Sequence, residues 1–331
     1  MSLLWTVAIH RAIVAADKER VEIDMPDTID IGLLEYPGAQ EAALLGLTDL
    51  FEIANQPDRP NLRVTRWRAE GDQLVPAEPT GSPSVVIIPS GKRGPVTADL
   101  ARPFGSGLRR LHDAGTTLAS VCVGAFILGE AGLLDRRSAT THWGAAEEFR
   151  TRFPAVNLDV DRLIIDDGDI ITAGGMMAWT DLGLKLVDRY LGPAAMMETA
   201  GTLLVDPPGR EQRYYSTFVP RLNHGDAAVL GVQHWLHATF ADSIGLADLV
   251  GRSGLEERTF LRRFRKATNI TVTEYLQRFR MNKAREMLQF GLHPVEEIAW
   301  TVGYTDASAF RKVFLKIVGL SPSEYRRRFH A

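Results

Sequence analysis

The most informative segment of the chain lies in its C-terminal third and reads Gly254-Leu255-Glu256-Glu257-Arg258-Thr259-Phe260-Leu261-Arg262-Arg263-Phe264. A glycine lets the chain reverse at the start of this stretch. Phe260 and Phe264 are four residues apart, so they share one face of a helix, and Arg258 and Arg262 share the opposite face. The stretch therefore predicts a turn followed by a helix with an apolar back and a basic free face.

This pattern is repeated further along the chain. Leu249-Val250, Gly254, Phe260, Phe264 and Lys266 correspond in order to Ile298-Ala299, Gly303, Phe310, Phe314 and Lys316. A predicted helix over Val272–Phe290 joins the copies, and its length of roughly 28 Å is close to one turn of DNA. The alternative is a helical bundle whose arginines only solvate its surface. Two copies in register, each with a basic free face, favour two helix-turn-helix motifs.

The free faces of the second helices are the candidate DNA-reading surfaces, because such a helix enters the major groove. Arg258 and Arg262 can each make paired hydrogen bonds to guanine O6 and N7, and neighbouring basic residues are expected to contact phosphates. The DNA-binding residues predicted for the two copies are Arg258, Arg262, Arg263, Lys266, Ser308, Arg311 and Lys312.

Both copies resemble the DNA-binding domain of AraC/XylS-type transcription regulators. Residues 254–264 resemble the first motif of that family. Its signature half is matched by Ile298-Ala299-x3-Gly303-Tyr304-x5-Phe310-x3-Phe314, followed by Gly319-Leu320-Ser321-Pro322-x2-Tyr325-Arg326. The resemblance covers about residues 228–330. It implies seven helices, with both recognition helices in successive major grooves of double-stranded DNA.

Charge is distributed unevenly along the chain. Residues 231–331 hold 16 Lys and Arg against 10 Asp and Glu, whereas residues 1–230 hold 22 against 31. A basic third on an acidic body suits an anionic partner for that third, and charge alone is equally consistent with a solvated, charged helical surface. The 331 residues are 45% hydrophobic and 24% charged, which excludes a mostly disordered chain, and no run of apolar residues is long enough to predict a membrane span.

Upstream of the basic third, apolar strand-like segments alternate with segments of helical spacing. The strands are predicted at 29–34, 62–69, 84–89 and 117–121, and the helices at 41–54, 100–114 and 181–191. This alternation predicts an α/β fold with a parallel sheet covered on both faces. We expect a flavodoxin-like domain over 28–192, a linker over 193–227 and an all-α domain with two helix-turn-helix motifs over 228–330. Residues 1–27 are expected to be a poorly constrained extension.

The single cysteine, Cys122, lies where a predicted strand ends and a helix begins. This is the arrangement of a nucleophile elbow, and a helix N-terminus is expected to lower the pKa of the thiol. His142 follows 20 residues later and can return to the sulfur, and a Cys–His pair is the minimum for thiol nucleophilic chemistry. The alternative, which spacing alone favours, is a buried structural cysteine and a structural histidine.

Residues 31–191 resemble the PfpI-like branch of the class I glutamine amidotransferase-like fold. The resemblance rests on Val121-Cys122-Val123-Gly124, Gly132-Leu133-Leu134, Thr140-Thr141-His142-Trp143 and Thr172-Ala173-Gly174-Gly175. The order of the two domains resembles GlxA-like regulators, whose N-terminal domain senses a small metabolite, often a nitrogenous one, and helps dimerisation. The resemblance implies an effector site formed by Cys122, Val123, His142, Glu41 and Gly175.

Two departures from the enzymes of this fold bear on activity. The aligned position of their carboxylate is Ala43 here, and the position after the cysteine, a histidine in the peptidases, is Val123. The dyad of Cys122 and His142 is therefore expected to be degenerate, with no catalytic residue. His234 and His237 lie on one helix without further ligands in range, so no metal and no cofactor is expected.

The sequence thus predicts a cytoplasmic, ligand-responsive transcription regulator that is a homodimer and not an enzyme. Double-stranded DNA and a small effector are the expected partners, and RNA polymerase is a candidate. One alternative is a thiol-dependent enzyme, which the missing carboxylate disfavours. The other is a redox regulator acting through Cys122, which the absence of a second cysteine disfavours.

Overall fold

The computed structural model describes residues 28–331, so the predicted extension over residues 1–27 lies outside the described residues. The chain separates into two compact units. The first runs to Leu133 and includes Gly168–Ile171 and Met177–Pro208, whereas the second comprises Leu134–Asp167, Thr172–Met176 and Gly209–Ala331. Part of the predicted sensor domain thus belongs to the same unit as the predicted DNA-binding domain.

Strands and helices alternate as far as residue 203. The strands are β1 (Thr28–Leu34), β2 (Asn61–Glu70), β3 (Gln73–Pro76), β4 (Val85–Ile88), β5 (Thr117–Val121), β6 (Ser138–Ala139), β7 (Asn157–Leu158), β8 (Ile164–Asp166) and β9 (Ile170–Ala173). The helices are α1 (Glu41–Ala54), α2 (Ala98–Asp113), α3 (Ala125–Glu130), α4 (Ala146–Arg152), α5 (Trp179–Leu191) and α6 (Pro193–Leu203).

The main sheet has the strand order β3-β2-β1-β4-β5-β9-β8 within the described part of the chain. β1 pairs in parallel with β2 and β4, and β4 pairs in parallel with β5. The inner order β2-β1-β4-β5-β9 is that of a flavodoxin-like sheet, so the predicted α/β class is confirmed. β4 is buried along its whole length, which explains its continuous run of apolar residues.

The sheet is mixed, because one edge pair of strands is antiparallel beside the parallel core. β3 runs antiparallel to β2, with Glu70 opposite Gln73. Only Gly71 and Asp72 separate the two strands, and Gly71 has a φ of 60°. A connection this short can only turn the chain back on itself, whereas a parallel pair needs a long crossover.

The C-terminal part consists of helices, as predicted. They are α7 (Ala227–Thr239), α8 (Leu246–Ser253), α9 (Glu257–Thr268), α10 (Val272–Phe290), α11 (Val295–Thr301), α12 (Ala307–Val318) and α13 (Pro322–Phe329). α8 with α9 forms the first helix-turn-helix, α11 with α12 forms the second, and α10 connects them. Among the described residues, no helix is both long and apolar enough to cross a membrane.

Each helix-turn-helix copy has its own apolar core. Phe260 and Phe264 are fully buried in the first, and Phe310 and Phe314 in the second. The turns between the helices contain Gly254, with a φ of 64°, and Gly303, with a φ of 86°. Both lie in the left-handed region that favours glycine, so the predicted reversals are confirmed.

The starts of α10 and α13 both have a Thr or Ser followed three residues later by Glu, the sequence of a capping box, and they differ in the structure. At α13, the Ser321 hydroxyl accepts a hydrogen bond from the Glu324 amide and the Glu324 carboxylate accepts one from the Ser321 amide, which completes the box. At α10, the Thr271 hydroxyl accepts from the Glu274 amide at 3.2 Å. The Glu274 carboxylate instead bonds Arg278 one turn later, at 2.9 Å, so the reciprocal half of the box is replaced by an i,i+4 ion pair.

The segment predicted as a linker, 193–227, contains regular structure in two places. Its first part is α6, which packs on α5 and α1 within the first unit. Its second part contains a short 3₁₀ turn, Gln212–Tyr214, and belongs to the second unit. Helical packing and hydrogen bonding order these two parts. The prolines and the glycine of the segment are residues that break regular structure, and they led to the prediction of a linker.

Candidate functional site

The reading face of α9 is basic and exposed. Arg258 and Arg262 are both exposed, while Phe260 and Phe264 on the opposite face pack edge to face with ring centroids 5.7 Å apart. Lys266 is exposed one turn beyond Arg262. The apolar face fixes α9 on the domain and leaves the guanidinium groups of Arg258 and Arg262 in solvent. A helix needs this arrangement to enter a major groove.

Arg263 has a different position from the one expected. Its guanidinium makes two hydrogen bonds to the Asp226 carboxylate, at 2.7 and 2.8 Å. Asp226 caps α7 by accepting from the Val229 amide at 3.2 Å, and the Arg263 pair holds the pKa of Asp226 below its usual range. Arg263 therefore ties α9 to the start of α7, and we leave it out of the proposed phosphate contacts.

The reading face of α12 is less free. Ser308, Arg311 and Lys312 are exposed, and Asp306 caps the helix by accepting from the Ser308 and Ala309 amides at 2.8 and 3.2 Å. Arg311 forms an ion pair with Glu296 of α11. The second copy thus presents the predicted residues on a helix start, but its arginine is already bound by a carboxylate.

The strand-to-helix turn at Cys122 is the predicted nucleophile elbow. β5 ends at Val121, Cys122 has a φ of 56°, and a 3₁₀ turn over Cys122–Gly124 leads directly into α3. A Cβ on Gly124 would lie 2.8 Å from the Ile88 carbonyl oxygen, so only glycine lets the turn approach β4 this closely. A left-handed non-glycine residue at such a turn is strained, as elbow nucleophiles are.

The thiol itself contradicts the expectation of a lowered pKa. Cys122 is only 2% exposed, and burial raises the pKa of its thiol. Hydrogen bonds with the Ser90 side chain and the Val123 backbone act in the opposite direction but are outweighed. Desolvation of the thiolate therefore dominates over the favourable helix start.

The remaining predicted effector residues of the first unit are Val123 and Glu41. Val123 is buried next to Cys122, and Glu41 lies in the first turn of α1, where its carboxylate bonds the Lys92 ammonium at 2.9 Å. Ala43, the position that the resemblance aligns with the carboxylate of the enzymes, is fully buried in α1. Tyr36, which follows β1, is also buried, and its hydroxyl donates to the Pro89 carbonyl at 2.7 Å.

His142 and Gly175 belong to the second unit. His142 Nδ1 accepts a hydrogen bond from the Gly144 amide at 3.0 Å, and its ring stacks on Trp143 with centroids 5.3 Å apart. Desolvation lowers the pKa of His142, so the neutral ring is favoured. Because Nδ1 accepts, the neutral ring carries its proton on Nε2. The joint effector site predicted for Cys122 and His142 remains a prediction.

Gln212 is a buried polar residue that sequence reasoning missed. This side chain is 2% exposed, although it lies in the segment predicted as a linker. Its amide makes hydrogen bonds with the loop 140–143 and with the Arg162 carbonyl. A single glutamine has no charge and no characteristic spacing that would predict its burial. The one hint in the sequence is Gly174, whose missing side chain leaves room for the Gln212 amide.

The second unit also contains an open cleft of about 610 Å³, lined by Ser138, Asn157, Leu158, Asp159, Arg162, Ile164 and Ile165. None of the predicted effector residues lines it. Within residues 28–331, no group of three or more His, Cys, Asp and Glu side chains is placed to hold a metal ion. His237 Nε2 lies 2.7 Å from the Tyr275 hydroxyl, which gives this histidine a structural partner.

Comparison with known proteins divides the chain in the same way as its sequence. Residues 72–189 match the DJ-1/PfpI family, and residues 249–328 match a helix-turn-helix domain. The HTH-type transcriptional regulator GlxA of Rhizobium meliloti is 28% identical over 224 residues, which cover 67% of this chain and 68% of that one.

Of two further relatives, one is a transcriptional regulator and the other is an enzyme. The HTH-type transcriptional regulator CdhR of Pseudomonas aeruginosa is 27% identical over 220 residues, covering 66% of this chain and 65% of that protein. An isonitrile hydratase of Pseudomonas putida is 30% identical over 180 residues, covering 50% of this chain and 73% of the enzyme. The N-terminal fold is thus found in regulators and in at least one enzyme.

Proposed function

The chain belongs to the DJ-1/PfpI family and carries an AraC-type helix-turn-helix domain, and from this premise we propose that it is a cytoplasmic transcription regulator that reads specific DNA sequences and responds to a small effector. The observation that carries the proposal is the pair of recognition helices, each with two buried phenylalanines behind an exposed basic face. A merely structural helix pair has no need of this asymmetry in both copies.

Arg258 and Arg262 are proposed to read bases, and Lys266, Ser308 and Lys312 to contact the DNA backbone. Among the described residues, neither Arg258 nor Arg262 has a hydrogen-bond or ion-pair partner, so no internal bond is lost when they meet guanine. A planar guanidinium can bind O6 and N7 of guanine together, which discriminates between bases by about 1–3 kcal/mol. Arg311 is proposed to contact DNA only after it leaves Glu296.

The test is selection of bound duplexes from a randomised DNA library by the full chain. We expect a recurring motif containing guanine, and binding that weakens steeply as salt rises, because phosphate contacts release counterions. For substitutions of Arg258 or Arg262, Arg102→Ala is a suitable control, since it also removes one positive charge, from an exposed helix of the first unit. Retention of DNA with no enriched motif would reduce the proposal to nonspecific binding.

The N-terminal domain is proposed to sense its effector without turning it over. The thiol of Cys122 is buried with a raised pKa, and Ala43 replaces the carboxylate of the enzymes, so neither a ready thiolate nor a second acid or base supports catalysis. We propose Cys122, Val123, Glu41, His142 and Gly175 as the effector residues. The buried thiol should react with iodoacetamide more slowly than free cysteine at neutral pH.

A thiol-dependent enzyme is the second candidate, favoured by the identity with isonitrile hydratase. The two are separated by assaying hydration of an isonitrile, with Cys122→Ser and His142→Ala as paired variants. We expect no turnover that depends on these residues. Activity in the wild-type chain that both substitutions abolish would establish the enzyme and end the sensor proposal.

We further propose that the chain is a homodimer through its N-terminal domain and that RNA polymerase is its partner at promoters. Two linked readers raise the effective concentration of the second DNA site, so dimerisation would increase affinity without a new contact. Sedimentation of the full chain at micromolar concentration tests this. A monomer that binds a two-site duplex as tightly as expected for a dimer would refute it.

A further inference from the structure

We propose that Gln212 is a latch that fastens the strap, defined as residues 211–218, to the loop carrying His142, and that the strap transmits effector occupancy to the DNA-reading helices. The inference deepens the proposed function and rests on it. All of the contacts involved lie within the second unit.

The Gln212 amide is fully satisfied inside its socket. Its Nε2, which carries two hydrogens, lies 2.8 Å from the Thr141 carbonyl oxygen, 3.0 Å from the Thr140 hydroxyl and 3.1 Å from the Arg162 carbonyl oxygen, so one hydrogen is shared between two acceptors. Its Oε1 accepts from the Trp143 amide at 3.2 Å. Burying an amide is unfavourable unless it is bonded, so a side chain held by four partners commits the strap to one position.

The socket is shaped for this side chain. A Cβ on Gly174 would overlap the Gln212 amide group, so the absence of a side chain at 174 makes room for the latch. Gly174 is not among the residues with positive φ, and glycine is required there for space and not for backbone conformation. Glu211 and Arg213 extend the attachment, through a β-bridge from Glu211 to Arg162 and a bond from the Arg213 amide to the Asp161 carbonyl at 3.2 Å.

The other side of the strap is bound to α10, the helix that connects the two DNA-reading copies. Arg285 donates to the Arg213 carbonyl at 2.6 Å and to the Ser216 carbonyl. The Asn282 amide donates to the Phe218 carbonyl at 2.6 Å, and the Phe218 amide donates back to Asn282 at 3.1 Å. Arg285 is only 5% exposed, and burial lowers its pKa, so its guanidinium depends on these carbonyls.

The strap positions the second recognition helix without covering its reading face. Arg213 and Tyr214 lie against Gly319, the residue that ends α12. Ser308, Arg311 and Lys312 lie in the first half of α12 and remain exposed. The strap therefore sets the position of the reading helix and does not block it.

The latch is placed to respond to the proposed effector. Trp143, whose amide donates to Gln212, directly follows His142, one of the two effector residues proposed in this unit. An effector that moves His142 would change the bond between Trp143 and Gln212, and through the strap the position of α10. Because coupling between two sites is reciprocal, DNA bound at the reading helices must act back on the loop 140–143.

Reciprocity gives a test that needs no knowledge of the effector. The probe is the DNA duplex selected above, and the readout is hydrogen exchange of residues 140–145 in the full chain, with and without that duplex. We expect DNA to change the exchange rate of this loop several-fold in the wild type and not in Gln212→Ala. An equal change in both proteins, or no change in a wild type that binds the duplex, would overturn the latch.

Trypsin cleavage between residues 209 and 222 provides a second readout that does not involve DNA. The Arg213 carbonyl is bonded and Arg213 is only partly exposed, so cleavage after Arg213 should be slow in the wild type and at least about tenfold faster in Gln212→Ala, because cleavage follows local opening. If the wild type selects no DNA motif, the proposed function fails while this readout still decides the latch. Equal cleavage of both proteins would refute it.

Gly174→Ala reaches the latch from the opposite side. Its methyl group should expel the Gln212 amide and reproduce the cleavage of Gln212→Ala, yet cause little further change when both substitutions are combined, because the space is then vacant. Gly201→Ala is the matched control, since its Cβ would meet nothing within 4 Å. Additive effects of the two substitutions would refute the shared socket. Thermal unfolding of each variant separates this release from global unfolding.

Discussion

In the first helix-turn-helix copy, Phe260 and Phe264 hold α9 against the domain, and in the second, Phe310 and Phe314 hold α12 in the same way. The exposed faces differ. Arg262 is exposed on α9 with no bonding partner among residues 28–331, whereas Arg311 on α12 is held by Glu296. The repeated apolar core fixes the fold of each helix-turn-helix copy, and we expect the charges on its exposed face to decide how strongly that copy binds DNA.

The largest expected effect tests whether the two cores are equivalent. Phe264→Ala and Phe314→Ala should each lower the unfolding free energy by about 3–5 kcal/mol, because a fully buried ring leaves a cavity. Urea unfolding measures both. Leu261→Ala and Leu315→Ala are controls on the same helices, at side chains that are 37% and 50% exposed, and should cost far less. A much smaller loss for one phenylalanine would show that the copies are not equally packed.

The next effect compares the two reading faces directly. Arg262→Ala should weaken binding to the selected duplex by about 1–3 kcal/mol, or roughly 5-fold to 150-fold, and relax the preference at its base position. Arg311→Ala should cost less, because its guanidinium must first leave Glu296. Fluorescence anisotropy on cognate and scrambled duplexes measures both. Equal losses on the two duplexes would make Arg262 a phosphate contact only.

A pH dependence is expected at the attachment of α9 to α7. The bond to Arg263 holds the pKa of Asp226 below its usual range, so the stabilisation is present above that range and is lost as pH falls through the lowered pKa. Asp226→Asn should reduce the unfolding free energy by about 1 kcal/mol at pH 7 and by less at pH 3. A loss that is the same at both pH values would show that charge contributes nothing there.

The smallest effect would sharpen the difference between the copies. Glu296→Gln frees Arg311 and should raise DNA affinity about twofold to threefold at low salt, since an exposed ion pair is worth only some tenths of a kcal/mol. Glu297→Gln removes the same charge from the same helix, where the carboxylate pairs with His293, and serves as the matched control. Equal gains in both variants would assign the effect to net charge alone.

The elbow at Cys122 shows where sequence reasoning reached the geometry but missed the chemistry. The strand that ends at the cysteine and the glycine two residues later were enough to predict the turn. The pKa of the thiol depends on how closely its neighbours exclude water, and neither burial depth nor the contact with Ser90 can be read from spacing along the chain. Desolvation therefore reversed the direction expected from the helix start.

Features that repeat or alternate could be predicted from the residues alone: the order of strands and helices, the two helix-turn-helix copies and the faces of α9 and α12. Periodicity carries this information because local backbone geometry fixes which side chains share a face. Contacts between residues far apart in sequence could be seen only in the folded chain. Arg263 with Asp226, Arg311 with Glu296 and Gln212 with the loop 140–143 are pairs of this kind. Polar partners distant in sequence leave no periodic signal, so the bonds that modulate the reader became visible only in the folded chain.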